Sequence, residues 1–113
     1  MIAGWAEATT SIPLAGLAVL SGTTVTINQT QAGVISVSGN VNVFTDREAF
    51  IYIYLDNEQI GPPFYTSVTN GWTNIPVFAM RNVSAGQHTI TLRGTGNGSN
   101  ARAGSRVVTV MAF

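Results

Sequence analysis

Chemistry in this chain would depend on very few titratable side chains. It has one histidine, His88, and four of its five acidic residues form two close pairs, Asp46 with Glu48 and Asp56 with Glu58. A histidine acts as a general base beside a nucleophile and an orienting partner, and paired carboxylates hydrolyse glycosides when they lie about 5 to 9 Å apart. No motif supplies a nucleophile for His88, and both acidic pairs fall in predicted turns. We therefore expect a structural histidine and no catalytic residue.

The run GTGNGSN, from Gly94 to Asn100, has the composition of a phosphate-binding loop. A P-loop, however, requires a lysine and a following helix, and a dinucleotide-binding turn also requires a helix. This chain contains no lysine, and the segment after the run has the pattern of a strand. We interpret the run as a connection between two strands. Because loops often carry binding residues, Asn97, Ser99, Asn100 and Arg102 remain candidate ligand contacts.

Composition excludes several classes of function. Charged residues make up 9% of the chain and the formal net charge is zero, so the chain lacks the basic surface expected of proteins that bind nucleic acid or membrane surfaces. With no cysteine and one histidine, we expect no metal site and no cofactor. The longest apolar stretch, IPLAGLAVL, has nine residues and is too short to span a bilayer.

Aromatic side chains are the strongest remaining signal. Tyr52 and Tyr54 share one parity and would project from one sheet face, while Phe64, Tyr65 and Trp72 cluster around the turns at Pro62-Pro63 and Asn70-Gly71. Exposed tyrosine and tryptophan bind sugars by stacking on the ring. Packing in the core or between subunits is the alternative interpretation, and the sequence leaves both open.

The pattern along the chain predicts strands and almost no helix. Short runs of β-branched and aromatic residues alternate with polar ones, and turn residues recur about every ten positions. This spacing predicts an all-β protein, either a sandwich, a jelly roll or a small barrel. The expected interruptions are a turn or bulge at Gly39-Asn40, a hairpin turn at Asp56-Asn57, an end of pairing at Gly61-Pro62-Pro63, a turn at Asn70-Gly71, and an edge or bulge at Pro76.

We expect two parts: an extended N-terminal arm over residues 1–22 and one β-domain over residues 23–113. The final strand, SRVVTVMAF, is apolar on both faces, which predicts that a second copy covers one of them. A central strand shielded by the arm is the alternative. The candidate anchor residues for assembly are Trp5, Ile12, Leu14, Leu17, Val108 and Val110.

The segment VSAGQHTITLRGTG followed by SRVVTVMAF resembles the last two strands of small jelly-roll modules. Two groups share this appearance: the trimeric jelly rolls of tumour necrosis factor and complement heads, which recur in phage fibres and decoration proteins, and carbohydrate-binding β-sandwich modules. The similarity covers mainly residues 50–113. It implies a two-sheet antiparallel jelly roll of about eight strands, and it transfers no catalytic or metal residue.

Together these observations favour a non-enzymatic, virion-associated structural protein, such as a phage capsid decoration or fibre component. We expect a homotrimer that docks on a capsid or tail protein of the same particle, in a virion or extracellular location, without nucleic acid or membrane insertion. The alternative is a carbohydrate-binding module, either a receptor-binding head that contacts cell-surface glycan or an accessory domain of an enzyme. Its candidate glycan contacts are Tyr65, Trp72, Asn97, Asn100 and Arg102.

Overall fold

The computed structural model describes residues 1–67, 70–97 and 100–113, and every regular element within them is a β-strand. The ten strands are β1 (Ile2–Ala8), β2 (Ile12–Pro13), β3 (Ala18–Val19), β4 (Val25–Gln29), β5 (Gly33–Thr45), β6 (Ala49–Leu55), β7 (Glu58–Thr66), β8 (Gly71–Val83), β9 (Gly86–Gly96) and β10 (Arg102–Ala112).

The strands form two five-stranded antiparallel sheets. Sheet I has the order β1-β10-β5-β8, and β2 also pairs with β10. Sheet II has the order β3-β9-β6-β7, and β4 also pairs with β9. The chain passes repeatedly from one sheet to the other, and the two layers enclose one core. The predicted all-β jelly-roll sandwich is therefore confirmed, with ten strands rather than about eight because residues 1–22 contribute three.

The N-terminal segment belongs to the sandwich rather than extending from it as an arm. β1 pairs along β10, where Trp5 lies opposite Thr109, and it forms an edge of sheet I. Leu14 and Leu20 are buried in the core, and the Leu14 amide donates a hydrogen bond to the Ala101 carbonyl at 2.9 Å. Leu14 is consequently unavailable as an anchor to another molecule.

Side chains along each central strand point alternately to the core and to the outer face. The inward positions carry mainly valine, isoleucine and leucine, so the core is aliphatic. β10 lies between β1 and β5 and is covered by sheet II, so Val108 and Val110 face this core instead of another copy. The fully buried side chains at its centre are Ile35, Val37, Val41, Val43, Ile51, Ile53, Ile90, Leu92, Val108 and Val110.

Three of the expected interruptions agree with the structure. Asp56 and Asn57 join β6 to β7 with φ of 50° and 68°, the left-handed conformation that a two-residue hairpin turn requires. Asn70 also has a positive φ, at 54°. Pro76 lies on β8, the edge strand of sheet I, where its missing N–H breaks no interior ladder.

The other two interruptions agree only in part. Gly61-Pro62-Pro63 interrupts the ladder inside β7, an edge strand of sheet II: pairing with β6 stops after Ile60, shifts register across these three residues and resumes at Phe64. Gly39 lies inside the continuous strand β5, since its register against β8 has no break. A Cβ at this position would collide with the Val107 carbonyl oxygen, so the glycine permits close strand approach instead of a turn.

β10 contains a bulge that reverses the direction of its side chains. Ala103 pairs with Val43 and Arg106 with Val41, so three steps along β10 match two along β5. The extra residue falls within Gly104-Ser105. Arg102 on one side of the bulge is exposed, whereas Arg106 on the other side points inward and is buried.

Arg106 ties the N-terminal loops to the sheet. Its guanidinium donates to the carbonyls of Ser21 at 2.8 Å, Thr10 at 2.6 Å and Gly104 at 2.7 Å, and to the Ser21 hydroxyl at 3.0 Å. Burial lowers the pKa of Arg106 below its usual value. The charge is thus compensated by backbone dipoles, with no carboxylate of the described residues in ion-pair contact.

We expect Arg106→Ala to lower the free energy of unfolding by about 3 kcal/mol, because it leaves several buried carbonyls without donors. Urea denaturation measures the change. Arg81→Ala is the matched control: Arg81 is exposed and, among the described residues, its side chain bonds only to the Met80 carbonyl, so the loss should stay within about 0.5 kcal/mol. Equal losses in the two variants would contradict the role of Arg106.

Candidate functional site

A row of four side chains crosses the outer face of sheet I near one end. Pro13 of β2 lies opposite Arg102 of β10, Arg102 opposite Phe44 of β5, and Phe44 opposite Trp72 of β8. Directly opposed residues share a sheet face and lie on strands about 4.8 Å apart. The row therefore places a cation and two aromatic rings side by side on the surface.

Trp72 is the most prominent member of this row. Its side chain is 50% exposed, and its ring meets Phe44 edge to face, with centroids 5.5 Å apart at an interplanar angle of 61°. A Cβ built on Gly104 would lie 2.9 Å from a carbon of the indole. The indole therefore reaches across β5 to lie over Gly104 in the bulge, and Phe44 fixes its position.

Open grooves lie beside the Trp72 ring. One, of about 380 Å³, is lined by Phe44, Trp72, Asn100 and Arg102. A smaller groove of about 240 Å³ shares Asn100 and Arg102 and continues to residues 11–13. The candidate site is defined here as Phe44, Trp72, Asn100 and Arg102.

Amide side chains occupy the sheet face next to the candidate site. A groove of about 440 Å³ is lined by Asn40, Asn42 and Asn74 together with Glu7, Arg106 and their neighbours in β1 and β10. Asn42 donates a hydrogen bond to Asn74 Oδ1 at 2.9 Å. An aromatic surface bordered by amides can stack on the apolar side of a sugar ring and hydrogen-bond its hydroxyls.

The structure brings together only part of the predicted glycan set. Trp72, Asn100 and Arg102 share one groove, whereas Tyr65 lies on the outer face of sheet II, stacked on Phe50 at 5.7 Å. The Asn97 side chain donates to Glu48 Oε1 at 2.8 Å and is held by that bond. Ser99 lies outside the described residues.

Phe44 is a member of the site that the sequence analysis missed. The alternation of Val41 and Val43 toward the core carried the signal, since it sends Phe44 outward beside Asn42. The alternation does not reveal the neighbours of Phe44, because these neighbours depend on pairing between strands that are distant in sequence.

His88 is held at both ring nitrogens. Nδ1 contacts Asp56 Oδ2 at 2.6 Å, and Nε2 contacts the Ser84 carbonyl oxygen at 2.8 Å. Asp56 Oδ1 accepts a further bond from the Thr89 amide at 2.8 Å. Both imidazole partners are acceptors, so the geometry suits a protonated ring that links the β6–β7 turn to the loop before β9. This arrangement agrees with a structural histidine.

These contacts shift the pKa values of both His88 and Asp56. The hydrogen bond to Asp56, and next the one to Ser84, raise the pKa of His88 above its ordinary 6.5 although burial opposes them. Burial alone would raise the pKa of Asp56, but the bonds from His88 and Thr89 outweigh it and hold that pKa below 3.8. The pair is therefore stabilised as an ion pair.

The other acidic residues are candidate metal ligands within the described part of the chain. No group of three or more histidine, cysteine or acidic side chains comes together within residues 1–67, 70–97 and 100–113. Asp46 and Glu48 are half-buried, and one Asp46 oxygen has no hydrogen-bond partner in the described part of the chain.

The described residues include no helix that is long and apolar enough to cross a membrane.

The middle of the sheet I outer face is apolar at its edges. Trp5, Thr109, Ser38 and Phe78 form a row across β1, β10, β5 and β8, with Trp5 61% and Phe78 54% exposed. Met80, also exposed, lies in the next row. We call Trp5, Phe78 and Met80 the apolar rim. Phe78 lies six positions along β8 from Trp72, about 20 Å at strand spacing.

Comparison with solved structures identifies the fold. The tumour necrosis factor Eiger from S. frugiperda matches with a TM-score of 0.63 at 10% identity, covering 96% of this chain and 85% of that one. The CBM36-1 domain of a multidomain xylanase from the hindgut metagenome of Trinervitermes trinervoides matches with a TM-score of 0.56 at 15% identity, covering 97% of each chain. The chain has a jelly-roll fold.

A third structure extends the comparison to a sugar-binding protein, the EclA C-terminal domain, with a TM-score of 0.55 at 14% identity, covering 92% of this chain and 79% of that one. No family model matches the chain, and no curated protein matches it in sequence. At these identities the likeness is one of fold alone, and the predicted similarity to tumour necrosis factor heads and carbohydrate-binding modules is confirmed at that level.

The ion pair predicts a pH dependence of stability. A histidine with a raised pKa contributes stability fully below pH 6.5 and loses it as pH rises through the folded-state value. The melting temperature should therefore be higher at about pH 5.5 than at about pH 9 through this pair. Asp56→Asn keeps a residue that tolerates the hairpin turn but removes the charge, and should flatten this difference. An unchanged difference in Asp56→Asn would contradict the assignment.

Proposed function

We propose that this protein is a non-enzymatic carbohydrate-binding module whose binding surface is Phe44, Trp72, Asn100 and Arg102. The observation that carries the proposal is the exposed Trp72 indole, fixed by Phe44 over Gly104 and bordered by grooves lined with amide and guanidinium groups. A pyranose ring stacks on such a surface, and its hydroxyls bond to Asn100 and Arg102.

Two features support binding over catalysis. The grooves are open, and no acid or histidine is among the described residues that line the groove beside Trp72. His88 is engaged at both nitrogens by Asp56 and a backbone carbonyl. A xylanase domain and a sugar-binding protein among the structures with this fold are consistent with the proposal.

We expect Trp72→Ala to weaken binding to a glycan array by about tenfold or more, since a central aromatic anchor contributes about 2 kcal/mol or more. Its melting temperature should stay close to that of the parent, because half of the side chain is already exposed. Isothermal titration against the best array ligand measures the affinity.

Tyr65→Ala is the matched control for this test. Tyr65 is 62% exposed, but it lies on the opposite face of the sandwich. The variant should bind like the parent. Loss of binding in Tyr65→Ala but not in Trp72→Ala would move the site to sheet II and contradict the proposal. No glycan binding by the parent would refute the function itself.

A second candidate function rests on the apolar rim. Three large side chains, Trp5, Phe78 and Met80, are exposed on one sheet face with Ser and Thr between them. Contact with further copies would bury them, and a closed homotrimer would also cover strand edges. In this candidate the protein is a structural component of a virion that docks on a capsid or tail protein. Trp5 takes the place of the buried Leu14, Val108 and Val110 as the principal anchor, and Leu17 is a further exposed anchor. Ile12 is half-buried against the core and is not available for this contact.

This candidate predicts a mass near three times 11.9 kDa by light scattering at micromolar concentration. Phe78→Ser should shift the mass toward that of one chain, because it places a hydroxyl where an apolar contact is required. Val19→Ser is the matched control, because Val19 is an exposed apolar residue that lies on sheet II. This variant should leave the mass unchanged. A single-chain mass for the parent protein would contradict assembly and leave the glycan site unaffected.

A further inference from the structure

The charge distribution around Trp72 indicates the kind of sugar that this surface would select. Three of the five arginines are engaged: Arg106 by four hydrogen bonds, Arg93 by the Tyr54 ring and Asn57, and Arg81 by a backbone carbonyl. The guanidinium groups of Arg102 and Arg47 have no hydrogen-bond or ion-pair partner within the described residues. Of these two, only Arg102 lines a groove.

Arg102 occupies the centre of the surface. It lies between Pro13 and Phe44 in the row across sheet I, and it lines both the groove that contains Trp72 and the neighbouring groove along residues 11–13. It is the only charged residue lining either groove within the described part of the chain. No described carboxylate lies within ion-pair distance of its guanidinium.

We propose that the ligand is an acidic saccharide, in which a carboxylate or sulfate group is held by Arg102 while a sugar ring stacks on Trp72. A guanidinium presents donors in a planar fork that matches the two oxygens of such a group. The bulge at Gly104-Ser105 makes this possible, because it keeps Arg102 on the surface while the nearby Arg106 points inward. This inference rests on the proposed carbohydrate-binding function and adds the class of ligand.

The direct test compares matched acidic and neutral ligands by isothermal titration. Oligogalacturonide and its methyl ester differ in the carboxylate charge, and a sulfated galactan oligosaccharide and its desulfated form differ in the sulfate. The parent protein should bind the acidic member of at least one pair about tenfold more tightly, as expected for a hydrogen bond to a charged group. The pair that shows the difference identifies the acidic group.

Two arginine variants separate a local contact from general electrostatics. Arg102→Gln should lose the preference, so that the acidic and the neutral member of the pair bind it with equal affinity. Arg47→Gln makes the same change in net charge outside the grooves and should keep the preference. A circular dichroism melt confirms that both variants are folded.

The outcomes distinguish this inference from the function it rests on. Equal binding of acidic and neutral ligands by the parent protein, with loss of both in Trp72→Ala, would overturn the acidic-ligand inference and retain the carbohydrate-binding function. A preference that survives Arg102→Gln would also overturn it. Absence of binding to any saccharide would overturn both.

Discussion

The bulge in β10 is the constraint on which the arrangement of the surface depends. One extra residue at Gly104-Ser105 reverses which positions of β10 face the core. It sends Arg106 inward, where the guanidinium donates to the carbonyls of Thr10 and Ser21 and to the Ser21 hydroxyl and so holds the N-terminal loops. It leaves Arg102 outside beside Phe44. The missing side chain of Gly104 also provides the space that the Trp72 indole occupies. Core, N-terminal segment and candidate site are thus coupled through two residues of one strand.

Sheet I divides its outer face between two kinds of surface. β5 and β8 run through 13 residues each, close to the full 45 Å length of the molecule, so one sheet carries distinct regions along its length. Aromatic, amide and guanidinium groups collect at one end, and the apolar rim lies near the middle. Since about 20 Å separates Trp72 from Phe78, saccharide binding and self-association would not compete for the same residues.

The chain has only five acidic residues and five arginines, and Asp56 shows how one of them serves more than one purpose. It adopts the left-handed conformation of the β6–β7 hairpin, accepts the Thr89 amide and pairs with His88. The turn is recognisable locally as Asp-Asn between two apolar runs. Its pairing with His88, 32 positions away, follows from the antiparallel alignment of β6 with β9, which sets Leu55 opposite Ile90.

The amino-acid sequence by itself determined the local features: strands from period-two alternation, the Asp56-Asn57 and Asn70-Gly71 turns, the edge position of Pro76, and a histidine on an apolar face. These follow from residue conformations and from burial of alternate side chains, which act over a few positions. Tertiary structure alone decided that residues 1–22 complete the sheets, that Leu14, Val108 and Val110 belong to the core, and that Phe44, Trp72 and Arg102 share one groove while Tyr65 does not. Pairing register between distant strands sets those neighbours, and a single inserted residue reverses a strand's faces without any mark in the hydrophobic pattern.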